Sequence, residues 1–215
     1  MAIVPLKPEY GPTLGALLSP RWRRAARPLR WLAIAASVGF AAAVAALVLA
    51  LLPPRYSHGG PVAFEFTYAG LYRTTPEPGG YVRMQSRRAG RLEYSFAVAP
   101  LSLPPYEGAL SGELPLYAAG RIKALAARYR DFQLRGEGKT RVTTLATYSV
   151  FYTVRVQGRA MYGRDVFVLP NRTGARAGVD ISLLSSPKAD RQITSPLLVA
   201  SQGVLFNALH SFSFR

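Results

Sequence analysis

The residues able to do chemistry are few and scattered. His58 and His210 are the only histidines, and there is no cysteine. A zinc site needs at least three N, O or S ligands, which two isolated histidines without H-E-x-x-H or H-x-H spacing do not supply. With the thiols missing, disulfides, iron–sulfur clusters and cysteine nucleophiles are excluded as well. No metal or cofactor is therefore expected. A serine hydrolase would carry G-x-S-x-G, and neither Ser111 nor Ser201 has that setting. His210 with Asp180 or Asp190 could complete a triad, yet a surface histidine and two turn aspartates account for the same residues. The stretch RGEGKT, residues 135–140, ends like a P-loop but lacks the upstream glycine; it reads as a hairpin turn. No catalytic residue is assigned.

One local cluster stands out, Gly163-Arg164-Asp165. Between two strand-like runs, Arg164 and Asp165 either pair across a sheet or present a guanidinium at the sheet's edge to an anionic partner. The other acids are spread thinly: beyond residue 30 there are 10 acidic and 21 basic side chains, a net +11 of the total +16. Salt bridges are thus the default fate of those acids, ahead of the paired carboxylates of glycoside chemistry. A basic surface suits anionic head groups, acidic wall polymers or an acidic protein. Only four of the 27 basic residues are lysines, and arginine bias of this kind also follows from GC-rich codon usage.

What positions this domain is the uncharged run at residues 31–52, WLAIAASVGFAAAVAALVLALL. As a helix it would measure about 33 Å, enough to cross a hydrocarbon core of about 30 Å. Arg21, Arg23, Arg24, Arg27 and Arg30 precede it, and positive charge beside a span tends to stay cytoplasmic. Trp22 and Trp31 bracket that cluster, as amphipathic rings do at a membrane interface. The expectation is a single-pass signal anchor in a bacterial cytoplasmic membrane, N-terminus inside and C-terminal domain outside, in contact with lipid. The apolar core is too long, and its end too poor in small residues, for a cleaved signal peptide. Export also removes nucleic acid as a partner. Ser37, Ala41 and Ala45, with Gly39 and Ala43, form small-xxx-small lines that would permit self-association through the span.

Around the anchor the chain divides into a disordered basic tail at 1–30, the span at 31–52, a linker at 53–61 and one domain at 62–215. Alternating apolar and polar residues predict a three-strand meander at 62–68, 81–86 and 92–99. A helical stripe of Leu116, Ala119, Ile122, Ala126 and Tyr129 follows, with Arg121, Lys123, Arg128 and Arg130 on its solvent side. Strands fill 143–169 and 179–184, and Ser195-Pro196 opens a closing helix. The fold class is α+β, an antiparallel sheet with helices packed on its faces.

This order of elements, opened by Phe64, Phe66 and Tyr68 and including a hairpin that carries Tyr152 and Gly158, resembles the PsbP-like α/β/α fold. The stretches RAMYGRDVFVL at 159–169 and QITSPL at 192–197 are similar to a group of uncharacterised actinobacterial single-pass membrane proteins. The first resemblance implies a binding or assembly module and the second implies no known activity. The expected function is a membrane-anchored extracytoplasmic binding or assembly domain, non-enzymatic, facing a protein or anionic envelope partner. Two alternatives remain. An envelope hydrolase or transferase requires a concave pocket with shifted titratable groups, and a small-ligand or lipid binder requires a cavity between sheet and helix.

Overall fold

The computed structural model describes residues 26–104, 110–172, 174–187, 189 and 191–215, without the side chains of Leu29, Arg30, Ala33, Ala50, Leu110 and Ser111. Two compact units are present, Met1–Leu52 and Pro53–Arg215. In the first, helix α1 spans Arg27–Leu51, 25 residues or about 37 Å. Pro28 sits in its first turn, where no N–H partner is lost. Its described large apolar side chains are exposed, from Trp31 to Leu51. Among the described residues no helix is long and apolar enough to cross a membrane. Of the basic flank, Arg27 is exposed, whereas Arg21, Trp22, Arg23 and Arg24 lie outside the described residues.

The second unit is α+β. Strands β1 (Arg55–His58), β2 (Phe64–Thr67) and β10 (Ser213–Phe214) form a small antiparallel sheet in the order β1-β2-β10. The main sheet has seven strands, all antiparallel. They are β3 (Tyr72–Thr74), β4 (Val82–Arg88), β5 (Arg91–Ser102), β6 (Gln133–Val142), β7 (Leu145–Val156), β8 (Arg159–Val168) and β9 (Ala177–Ser185). Their order is β3-β4-β5-β9-β8-β7-β6. Helix α2 (Leu110–Arg128) joins β5 to β6, and a 3-10 turn (Pro196–Leu198) precedes helix α3 (Gly203–His210).

Because side chains alternate along a strand, the sheet builds a core on each face. On one face Phe96, Val98, Val166, Val179, Ile181 and Leu183 meet Phe64 and Phe66 of the small sheet, Phe212 just before β10, and Leu205 and Leu209 of α3. Each of these side chains contributes about 1.5–3 kcal/mol by burial. On the other face Val150, Tyr152, Val154, Phe167 and Leu184 meet Leu114, Ala118 and Leu125 of α2.

Several expectations change in detail. The strand opened by Phe64 joins the small sheet rather than a meander with β4 and β5, because its phenylalanines stack on Phe96 and Phe212 across the layers. The supposed linker contains β1, paired to β2. Residues 135–140 lie inside β6, and the hairpin turns instead at Thr143, which takes a left-handed φ of 56°. The closing helix starts at Gly203 and not at Pro196, since Ala200 and Gly203 both adopt positive φ and interrupt it. Helix α2 is rotated relative to the expected stripe. Leu116 is 62% exposed, while Leu114, Ala118 and Leu125 face the sheet.

Candidate functional site

That rotation brings Arg121, read from the sequence as a solvent-side cation, under the helix and onto two carboxylates of the sheet. Its Nε donates to Asp165 Oδ2 at 2.9 Å and lies 3.0 Å from Asp180 Oδ2. Its Nη2 donates to Ser182 Oγ at 3.1 Å. Asp165 and Ser182 are register partners on β8 and β9, and Asp180 is two residues along β9, so all three project from one face. Tyr152, on β7, donates its hydroxyl to Asp165 Oδ1 at 2.8 Å.

The tyrosine reaches Asp165 because its cross-strand partner is Gly163. A β-carbon there would lie 2.1 Å from the ring, so the glycine provides the seat of the ring. Asp180 is 3% exposed, and its Oδ1 is buried with no hydrogen-bond partner. Burial and then the neighbouring charge of Asp165, against the opposing pull of Arg121, raise its pKa to about 8. Burial also raises the Tyr117 hydroxyl to about 12 and the Tyr152 hydroxyl well above its ordinary range.

Asp180, Ser182, Arg121 and Tyr152 line a cavity of about 340 Å³ between α2 and the sheet. The space exists because β5 turns Ser95, Ala97 and Ala99 toward α2, and these side chains are too small to fill the gap. The far wall is the turn Glu77-Pro78-Gly79-Gly80, closed by the Gly80 N–H donating to the Glu77 carbonyl at 2.8 Å, with Gly79 at φ 80°. Glu77 ties that turn to the end of α2. Arg128 Nη1 donates to its Oε2 at 2.6 Å, and Arg83 Nη1 to its Oε1 at 3.3 Å. The Arg128 hydrogen bond, outweighing partial burial, holds the Glu77 carboxyl below its usual range.

The pair singled out from the sequence is divided by the sheet. Strand β8 lies between β7 and β9, not at an edge, so neighbouring side chains go to opposite faces. Asp165 is wholly buried under Arg121, and neither residue is presented to a partner. Arg164 is also buried, with Nη1 donating to the Val199 carbonyl at 3.2 Å, Nε to Ser149 Oγ at 3.3 Å and the guanidinium 5.2 Å from the Phe151 ring. Burial lowers its pKa to about 10. His210 stacks on Phe206 at 4.0 Å on α3, which packs on the face opposite Asp180, so no His210–Asp180 triad forms. Asp190 lies outside the described residues. Among the described residues no three or more metal-ligating side chains converge.

The cavity residues carried one sequence signal. In Val179-Asp180-Ile181-Ser182-Leu183 the polar residues hold one parity of a strand whose neighbours are apolar throughout. In a strand buried on both faces, that parity marks a polar internal surface.

No family pattern matches this chain, and no curated protein matches it. Solved structures that it is similar to include cyanobacterial PsbP (CyanoP) from Synechocystis sp. PCC 6803, at 15% identity and a TM-score of 0.48, over 75% of this chain and 92% of that one. LpqN, involved in cell envelope biogenesis of Mycobacterium tuberculosis, is similar at 9% identity and 0.49, over 75% and 90%. PA94, a protein of unknown function from Pseudomonas aeruginosa, is similar at 14% identity and 0.36, over 65% and 88%. A PsbP structure is thus among the neighbours, as the order of elements implied. At these scores none of the likenesses bears on activity.

Proposed function

We propose that the chain is a membrane-anchored extracytoplasmic binding domain, non-enzymatic, whose ligand occupies the cavity under α2. The observation that carries the reading is the cavity itself, with largely apolar walls, small residues on its β5 side and the polar residues Asp180, Ser182 and Arg121 in its lining. Anchoring is supported by the 25-residue helix α1 and by the absence of any charge over residues 31–52. The arginines before the span support an N-terminus inside the bacterial cytoplasmic membrane. The expected protein or anionic envelope partner would meet the exposed arginines of the β4–β5 hairpin, Arg87, Arg88 and Arg91.

A second reading, an envelope hydrolase or transferase, is favoured by the shifted carboxyl of Asp180 in a concave site. Against it, the described lining offers the hydroxyls of Ser95 and Ser182 but no histidine. Reporter fusions at residue 60 and at the C-terminus test the topology: extracytoplasmic activity of both is expected, and cytoplasmic activity of either overturns the orientation. Ala97→Leu tests the site. A ligand displaced by that substitution supports binding in the cavity, and turnover of a bound compound supports the second reading.

A further inference from the structure

Strand β6 ends the main sheet, and its ten residues pair on one side only, with β7. Outside that ladder no described backbone group bonds to the backbone of residues 133–142. The hairpin closes through the pair Val142 and Leu145 across a two-residue turn at 143–144. Along an antiparallel pair every second residue turns its N–H and C=O toward the partner strand, so Glu137, Lys139 and Arg141 turn theirs outward. Each offers a donor and an acceptor along a free edge, which is a template for another strand.

The side chains decide which strand fits. Residues 135–141 set Arg135, Lys139 and Arg141 against Glu137 alone, all four exposed. The Lys139 and Arg141 side chains make no ion pair or hydrogen bond among the described residues. Lys139 lies opposite Tyr148, which faces α2, so both cations stand on that face. The other face is bare at its glycines: a β-carbon at Gly138 would meet nothing within 4 Å, and one at Gly136 only Leu197, at 3.5 Å, itself 56% exposed. A second copy of the chain is a poor match, because like charges directly opposite destabilise a strand pair. Paired antiparallel about Lys139, that lysine meets itself; about Thr140, Lys139 meets Arg141; about Gly138, Arg141 meets the bulge that carries Arg135. Charges that repel a like edge select an opposite one. We infer that β6 binds an extended acidic segment of another polypeptide, added antiparallel, with acidic side chains over Lys139 and Arg141 and apolar β-branched ones over Gly136 and Gly138. Four strands separate this edge from β4, and no β6 residue lines the cavity under α2, so the inference holds whether or not the cavity takes a ligand.

The test is fluorescence anisotropy of a labelled, end-capped peptide, Thr-Glu-Thr-Glu-Val-Thr-Val-Thr, titrated with the full chain in zwitterionic lipid nanodiscs. It is expected to bind at least ten-fold more tightly than the same peptide with lysines in place of its glutamates. N-methylation of the two glutamates, whose N–H groups would face β6, should weaken binding at least ten-fold, whereas N-methylation of the two valines should change it less than three-fold. Lys139→Glu combined with Arg141→Glu should reverse the preference between the acidic and basic peptides. Should that variant fail to fold, the two methylated peptides on the unaltered chain still decide. Equal binding of the methylated peptides would make the edge a patch of charge open to any polyanion and would overturn the proposal. Failure of the acidic peptide to bind, or unchanged binding to the double variant, would overturn it as well. So would a dimer, seen by mass photometry, that the acidic peptide dissociates, since the edge would then belong to a second copy.

Discussion

The substitution Gly163→Ala measures how closely the site depends on one missing side chain. A β-carbon at residue 163 would lie 2.1–2.6 Å from three atoms of the Tyr152 ring, well inside contact distance. The ring is fully buried and packs 5.5 Å from Phe132, so it has little room to move aside. Forcing it out carries an overpacking cost of about 1–3 kcal/mol. Displacement also removes the 2.8 Å hydrogen bond to Asp165 Oδ1, a bond to a charged acceptor contributing about 1.5–3 kcal/mol. Against these, alanine restricts the unfolded chain and returns about 0.4–1 kcal/mol. The net expectation is a loss of about 3 kcal/mol, and for a unit of this size Tm should fall by about 6–12 °C. Thermal unfolding followed by near-ultraviolet circular dichroism reads the change. In a Tyr152→Ala background the added methyl has space, so there Gly163→Ala should cost less than about 0.5 kcal/mol. A Tm change below about 2 °C in the unaltered background, or an undiminished cost beside Tyr152→Ala, would refute the steric account.

Other consequences follow from the same geometry. Asp180 has a folded pKa of about 8 against an ordinary 3.8, so the folded state keeps a proton that the unfolded chain releases. The stability it confers is complete below about pH 4 and is lost as pH rises toward 8; Asp180→Asn should flatten that decline in denaturant titrations across pH 5–8. Arg121→Met strips two buried carboxylates of their cation and should cost about 3–5 kcal/mol at pH 8, less at pH 5, where Asp180 holds its proton. Arg164→Met, at a buried arginine bonded only to a hydroxyl and a carbonyl among the described residues, should change stability by no more than about 1 kcal/mol. Comparable losses for the two arginine variants would contradict the assignment of Arg121 as the charge partner. Removal of residues 1–52 should release the domain from the membrane fraction, and retention there would point to a second membrane contact.

The fold was readable where one periodicity dominated. Tyr148, Val150, Tyr152 and Val154 alternate along β7 and all face α2, as that spacing requires. The helix before it was also legible as a helix, but its phase was not. In an alanine-rich segment the apolar stripe is degenerate, and turning the helix exchanges Leu116 for Leu114 and brings Arg121 inward at little apparent cost. That one ambiguity hid the site, because the cavity depends on Arg121 meeting acids from strands more than 40 residues away. Arg164 and Asp165 are neighbours in sequence, whereas in a central strand neighbours are the residues that part company. The split between the 3-10 turn and α3 turns on backbone angles at Ala200 and Gly203, which an apolar pattern does not encode.

The most direct test of ligand binding under α2 is a ligand-observed NMR screen of small fragments against the full chain and against Ala97→Leu. Binding fragments should compete with one another, shift the resonances of Ala97, Ala99, Leu125 and Ser182, and lose their signal in Ala97→Leu. Fragments whose shifts instead map to the β4–β5 hairpin arginines, or whose signal survives the filled cavity, would contradict the account.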